Sequence, residues 1–575
     1  MGLVAEAQRR RVFRVAAAYL VVGWLVIQVA ATVLPQFDLP AWAPRMVTLL
    51  VALGFPIALV MTWVFDVTPE GLKVDASAPG SKRLLTVAAT LVALALGWYF
   101  HDRPDARPDA AASVAPAKSN QASQAIPSIA VLPFVDMSQS GDQAYFSDGL
   151  SEELLNLLAQ LPQLRVIART SSFSFKGKEV DVATIAKALD VGHVLEGSVR
   201  KSGNTLRITA QLIRASDSSH LWSQTYDRQL TDVFKVQDEI AAAVVDALKV
   251  QLLPTQSLAT RPRSANPEAY DQFLIGRQFS TRGTEPDWRR AIAAFQKAIA
   301  LDPAYAPAYA ELASAQGVLA DAKGDAAGMQ ASLHSADTAI GLAPALPDGY
   351  VARAIDRMTF DHDWHGAESD INKALALDAG DATVQFAQAR LMVSLGRLPE
   401  AIAAARRSTQ LDPLSPRAWA DLGRYLNANH QLKQARDATH RALEISPESS
   451  YALFHLGETA LLEGKPQDAL TAFEKSLASG YGLPGVAMAR HSLGQDKESL
   501  DAMTQQIARF AQSGAYQIAE AYAWRGEKDE AFAWLDRAYA QRDGGLAFIK
   551  CDPLLANLVG DPRFGTLLQK LGLPT

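Results

Sequence analysis

Three phrases in the second half of the chain, ALALDAGD, STQLDPLSP and ALEISPESS, set Asp378, Asp412 and Ser446 at equal steps of 34 residues. A unit of that length holds two helices and their turns but cannot bury an apolar face alone, so it has to stack on copies of itself. The period therefore predicts an all-α solenoid. Aligned on Trp419, one unit reads PRAWADLGRYLNANHQLKQARDATHRALEISP, with Leu422 and Gly423 in a first helix, Ala435 and Ala442 in a second and Pro447 at the end. Gly423 and Ala435 are small enough for the two helices to cross closely, Trp419 and Leu422 fill the seam with the neighbouring unit, and Pro447 stops the second helix.

The same marks recur in YALFHLGETALLEGKPQDALTAFEKSL (Leu456, Gly457, Ala469, Phe473), AQARLMVSLGRLPEAIAAARR (Ala389, Gly396, Ala401) and RRAIAAFQKAIALDP (Ala291, Phe295, Ala298, Pro303). YAWRGEKDEAFAWLDRAY carries them degenerately at Gly526, Ala531 and Ala538. Asp302 to Ala343 is 41 residues, so one unit holds an insertion of about seven near Asp321–Gly328. Six clear or fair units run from about Pro267 to Gly480. Degenerate ones follow, and DPLLANLVGDPRFGTLLQKLGL reads as a terminal cap, giving an array over 267–575. On these marks the array resembles tetratricopeptide repeats. The resemblance implies a concave face, built from the first helix of each repeat, that binds extended peptides or partner helices. Its positions here are Phe386, Arg390, Arg417, Arg424, Asn427, Tyr451, Phe454 and Glu458. Arginines beside aromatics suit an acidic or carboxylate-ended peptide with apolar anchors. The rival reading is a solvated helix face with ordinary arginines.

The other end of the chain has a different character. Val15 to Leu34 and Met46 to Phe65 are apolar all round, each close to the roughly 20 residues a helix needs to cross about 30 Å of hydrocarbon. Pro56 interrupts the second, as membranes tolerate. Leu84 to Phe100 is a shorter third span closed by Trp98 and Tyr99, where interfacial aromatics belong. A cleaved signal peptide is the rival for the first run. That run is too long for such a peptide's apolar region, no A-x-A-like site follows, and two more apolar runs come next. Arg9, Arg10, Arg11 and Arg14 before the first span, and Lys73, Lys82 and Arg83 before the third, put the amino terminus in the cytoplasm. Three crossings of a bacterial inner membrane then place the bulk of the chain in the periplasm; if the third does not cross, it lies in the cytoplasm. Residues 101–126, rich in Pro, Ala, Ser and Asp, read as a flexible linker.

Residues 1–100 carry a net +3 and the remainder −9. An acidic remainder lacks the basic footprint that nucleic acid demands, which argues against such a partner. The single cysteine, Cys551, excludes an intramolecular disulfide framework and any multi-cysteine metal site.

Between these parts, residues 127–255 read as an α/β domain. Ser128 to Phe134 is a strand-like run. The following helix places Leu150, Leu154, Leu157, Leu158 and Leu161 on one face. Asp148, Glu152 and Glu153 fall in its first turns, where free amide N–H groups favour carboxylates; no nearby residues suit them to acid–base catalysis. LRVIAR, a helix over Asp181–Asp190, the hairpin HVLEGSVR–LRITAQLI around Gly203 and Asn204, the strand HLWSQTYD and a helix from Asp232 to about Leu252 complete the order βαβαβββα. One mixed sheet with helices packed on it is expected. The phrases SIAVLPF, YFSDGLSEEL, LRVIARTSSFSFKGK, VLEGSVRKSGNTLRITAQLI and HLWSQTYDR resemble the family of TolB amino-terminal and FlgO domains over residues 127–252. In that family the flanking module can be a winged-helix or nucleotide cyclase domain; here apolar spans take that place. The resemblance implies a domain but no catalytic residues.

No phosphate-binding glycine loop, H-E-x-x-H, G-x-S-x-G or calcium-loop pattern occurs. Asp361, His362, Asp363 and His365 are the best metal candidates, but they fall where a polar turn between helices is expected. The whole therefore reads as a multidomain, non-enzymatic scaffold without cofactor or metal. Its partners are proteins or peptides at the repeats and the lipid bilayer at the amino-terminal helices, and a homo-oligomer is compatible with it. The alternative is a periplasmic sensor whose α/β domain binds a small ligand and whose repeats relay it.

Overall fold

The alternation of Leu206, Ile208, Ala210 and Leu212 with polar residues fixes the centre of the α/β domain, since all four side chains are fully buried on one sheet face. The computed structural model describes residues 126–574 apart from 139–142, 230–231, 249–261, 265, 283, 322–323 and 478. Before them it describes Tyr19, residues 22–24, Val26, Val51 and two short strands, β1 (Phe65–Thr68) and β2 (Gly71–Val74), which pair as an antiparallel hairpin. The chain divides into two compact units, 1–121 and 122–575. Most residues of the three apolar segments and of the linker lie outside the described ones. Among the described residues no helix is long and apolar enough to cross a membrane.

In the second unit the domain runs β3 (Ser128–Val131), β4 (Val135–Asp136), α1 (Ala144–Ala159), β5 (Arg165–Val166), α2 (Arg169–Phe173), α3 (Val182–Leu189), β6 (His193–Ser202), β7 (Thr205–Arg214), β8 (His220–Gln229) and α4 (Val233–Ala247). The strand order is β5-β3-β6-β7-β8, with β4 also beside β6. Pairing is parallel from β5 to β6 and antiparallel from β6 to β8, the expected mixed sheet. Gly203 opens the two-residue β6–β7 turn at φ 57, a conformation glycine adopts without strain. Leu150, Leu154, Val236 and Ile240 cover one sheet face; Ile185, Ala186 and Leu189 cover the other.

One expectation is overturned here. Helix α1 starts at Ala144 and has no acid in its first turn, so Asp148 and Glu152 sit too deep for its amino-terminal dipole to account for them. Thirteen of its sixteen residues are buried, because the sheet covers one side and the repeats the other.

The array consists of helical hairpins: α5 (Pro267–Ser280) with α6 (Glu285–Leu301), α7 (Ala306–Asp321) with α8 (Ala326–Leu342), α9 (Pro347–Asp356) with α10 (Trp364–Leu377), and α11 (Ala382–Ser394) with α12 (Leu398–Leu411). Then come α13 (Pro416–Ala428) with α14 (Leu432–Ile445), α15 (Ser450–Leu462) with α16 (Pro466–Glu474), α17 (Gly482–Ser492) with α18 (Asp496–Phe510), and α19 (Ala515–Trp524) with α20 (Lys528–Gln541). Two 3₁₀ turns (Gly544–Phe548 and Pro553–Leu558) and α21 (Pro562–Lys570) end the chain. Asp302, Ala343, Asp378, Asp412 and Ser446 all cap the second helix of a hairpin, with φ between −153° and −130°. The period is thus a backbone period. The insertion is no loop: α7 and α8 have 16 and 17 residues where α13 and α14 have 13 and 14.

The array curls until its end meets its middle. Leu391, Met392 and Tyr425 share one core with Phe548, Leu555 and Leu568. Trp364 Nε1 donates to the Leu571 carbonyl at 2.6 Å. The terminal segment, expected to cap the last repeat, also packs against the inner side of α9–α13.

Candidate functional site

The α/β domain seats on the array at two places far apart in sequence. At the first, Gly149 of α1 lies so close to α5 that a Cβ there would stand 2.3 Å from Leu274. Glu152, 3% exposed, meets Arg169 Nε at 3.0 Å and Arg277 at 2.5 Å, and Arg277 reaches on to Glu311 at 3.3 Å. Asp148 thus answers Lys176, and Glu152 answers two arginines, one of them 125 residues away. At the second, the Ala168 N–H donates to the Leu411 carbonyl at 2.7 Å, and both the N–H and the hydroxyl of Ser171 donate to Asp412 Oδ1, at 3.1 and 2.5 Å. Ser171 in turn accepts the Leu414 N–H at 2.7 Å. Burial pushes the Asp412 carboxyl above its ordinary range. Between the two places lies a cavity of about 490 Å³ lined by Glu152, Asn156, Arg169, Arg277, Asp381 and Phe386 among others. The Asn156 Nδ2 is buried there without a hydrogen-bond partner.

A second cavity, about 600 Å³, lies inside the curl and is lined by Arg390, Arg417, Arg424, Tyr451, Phe454, His455, Tyr481, Glu520, Gln541, Arg542 and Phe548 among others. The groove read from the sequence is divided between these places. Phe386 borders the first cavity, Arg390, Arg424, Tyr451 and Phe454 the second, and Arg417 both. Arg417 binds Asp421 at 2.8 Å and stacks on Tyr451 at 4.1 Å. Tyr451 also donates its hydroxyl to Asp421, at 2.6 Å.

Asn427 and Glu458 are not groove residues. They are 0% and 2% exposed because α13 and α15 pack together through them: Asn427 Nδ2 donates to the His455 carbonyl at 3.1 Å and to Glu458 at 3.2 Å. Glu458 lies 2.6 Å from His455 Nδ1; burial pushes its carboxyl up to about 7 and holds the imidazole well below its usual range. The Phe548 ring stands 3.6 Å from the Arg424 guanidinium, so the chain's own end occupies the inner face that an extended peptide would use.

The metal candidates are dispersed into structural tasks. Asp363 caps α10 by accepting the Gly366 N–H at 2.9 Å, and His362 stacks on Tyr539. Among the described residues no group of three metal-ligating side chains converges. Sequence reading missed Ser171, Arg277 and the inward packing of the terminal segment. Only pairing across more than a hundred residues gives them a role, and no local pattern carries that.

Residues 123–243 match the family model of the HilA/YgeH-like transcriptional regulator, second domain, and residues 361–416 and 417–484 match that of the tetratricopeptide repeat. A curated relative, "Putative adenylate cyclase 3" of Rhizobium meliloti (strain 1021), is 39% identical over 216 residues, which are 37% of this chain and 36% of that protein. The chain thus matches about a third of that relative's length. Similar solved structures include an IFIT1 monomeric mutant with Gppp-AAAA (16% identity, TM-score 0.38, 53% of this chain and 76% of that one). Another is PilW, a type IV pilus biogenesis factor (18% identity, TM-score 0.31, 35% and 94%). A third is Pseudomonas aeruginosa pilF (17% identity, TM-score 0.30, 36% and 93%). With the hairpins and their caps in place, residues 361–484 are tetratricopeptide repeats.

Proposed function

We propose that the protein is a non-enzymatic scaffold anchored in a bacterial inner membrane, whose tetratricopeptide repeats recruit partner proteins. The carrying observation is the repeat array itself: stacked hairpins whose outer helices, α14 and α16 among them, expose polar residues such as Lys433 and Gln467. The apolar runs at 15–34, 46–65 and 84–100 support the anchor, and the basic residues before the first and third favour a periplasmic array. Cyclase activity is no part of this reading. A second reading, a ligand-sensing α/β domain that controls the array, is favoured by one observation: the 490 Å³ cavity lies at the seam between the two, with the buried Asn156 amide unspent.

Two measurements in cells test the scaffold. Alkaline phosphatase fused after Asn120 is expected to be active and a cytoplasm-active fluorescent protein there dark; the opposite pattern moves the array to the cytoplasm. Photo-crosslinking residues at the exposed positions Lys433 and Gln467 are expected to capture one and the same envelope protein. Crosslinks to no protein at either position would remove the scaffold reading.

A further inference from the structure

Arg424 is an anomaly inside the curl. Its side chain is half-buried and stacks on Phe548 at 3.6 Å, yet it makes no ion pair with any described residue. Its one polar contact among the described residues is a long 3.5 Å approach to the Tyr451 hydroxyl. A charge partly withdrawn from water without hydrogen-bonded compensation is costly. Three of the nearby carboxyls are spent elsewhere, and a fourth, Glu520, is pushed well above its ordinary range by burial and by Asp552 beside it, which favours its uncharged form. Asp421 takes Arg417 and Tyr451, Asp552 accepts the Tyr516 hydroxyl and the Leu554 N–H at 2.8 Å each, and Asp543 accepts the N–H groups of Tyr516 and Gly545 at 3.0 Å each.

Two more guanidinia line the same 600 Å³ chamber without an ion pair to a described residue: Arg390 on α11, and Arg542, which lies 3.9 Å from the Phe360 ring. The lining also leaves three buried polar atoms without hydrogen-bond partners: His455 Nε2, Glu520 Oε2 and Gln541 Oε1. Guanidinium forks with their backs on aromatic rings are the arrangement that takes a multiply charged oxyanion, because each N–H pair can grip two oxygens. Neutral polar atoms beside them have the range to read the rest of a small molecule.

We propose that this chamber is a binding site for a small phosphate-bearing anion, its phosphate oxygens held by Arg424, Arg390 and Arg542. The site goes beyond the scaffold reading and depends neither on the partner nor on the side of the membrane. Phe548 and its 3₁₀ turn fill the path of an extended peptide, so the ligand is compact. Because the three arginines come from α11, α13 and the segment after α20, the bound anion joins the two ends of the curl and raises the thermal midpoint.

The test uses the full chain in detergent micelles at low salt, titrated calorimetrically with inorganic pyrophosphate, with ATP and with a short acidic peptide ending in a free carboxylate. Pyrophosphate or ATP is expected to bind saturably at one site. ATP binding tighter than pyrophosphate identifies an organic phosphate as the natural class, and equal binding an inorganic one. Arg390→Gln combined with Arg542→Gln, both outside the core, is expected to weaken binding by about tenfold or more with an unchanged circular dichroism spectrum. Arg424→Lys, which keeps the charge and loses the fork, is expected to do the same. If Arg424→Lys does not fold, the double variant decides. The proposal is overturned if neither phosphate probe binds, if the double variant binds them as well as the parent, or if the peptide alone saturates the site.

Discussion

The hydroxyl of Ser332 lies 2.7 Å from the Ala313 carbonyl and 2.6 Å from Asp356 Oδ2, and it has one proton to give. That proton is divided between two acceptors, the Ala313 carbonyl and the Asp356 carboxyl oxygen, so the hydroxyl holds the carboxylate form only weakly. Burial, with Asp356 3% exposed, outweighs that hold and raises the carboxyl's pKa from 3.8 to about 7. A carboxyl raised by folding contributes stability that is complete below the unfolded value and is lost as pH rises through the folded one. Glu458, raised from 4.5 to about 7, has the same sign. Stability measured by urea denaturation should therefore fall between pH 5 and pH 8. Asp356→Asn, which mimics the protonated form, is expected to recover on the order of 2 kcal/mol at pH 8 and little at pH 4. An unchanged pH slope in Asp356→Asn would mean that this carboxyl is ionised in the fold.

At the scale of the element, the repeat rests on how closely its two helices approach. A Cβ on Gly423 would stand 2.5 Å from Thr439 Cγ2, and Thr439 cannot turn away, since its hydroxyl donates to the Ala435 carbonyl at 2.9 Å. Gly423→Ala is therefore expected to cost about 1–3 kcal/mol in denaturation experiments despite alanine's better helix propensity. Gly565 in α21 has nothing within 4 Å of its Cβ position, so the same change there should stabilise by roughly 0.5–1 kcal/mol. Equal effects at the two glycines would show that close helix crossing is not what Gly423 provides. Sequence identified Gly423 because its constraint is local: both helices lie within one repeat. The longer α7 and α8 were legible only as a spacing of 41 residues, because an extra turn in each helix and a long loop give the same count.

For the whole molecule, the seam between domain and array is the feature most open to measurement. Ser171 and Asp412 are 241 residues apart and share two hydrogen bonds in a buried site. A double-mutant cycle with Ser171→Ala and Asp412→Ala should give a coupling of at least about 1 kcal/mol in unfolding. Additive single losses would mean that the domain does not dock there. Asp412 has two tasks, which explains why half of its role was legible. It ends a helix at the repeat period, which the sequence displays, and it receives Ser171, which only the folded chain brings to it.

The sequence by itself determined whatever is settled within a few tens of residues. This covers the helical hairpins and their period, the small residues at their crossings, the alternating strands of the mixed sheet and the glycine turn between β6 and β7. Each follows from side-chain size and backbone preference at fixed spacing. Only the tertiary structure decided which distant surfaces meet. Glu152 looked like an ordinary helix-end acid and became the partner of Arg277. Asn427 and Glu458 looked like groove residues and became an internal hydrogen-bonded pair. The terminal segment looked like a cap and filled the inner face. The physical reason is that the path of a solenoid is the sum of small rotations, one per repeat. No single repeat reveals where that sum will bring the end of the chain, and the chamber around Arg424 exists only because it brings it back to α9–α13.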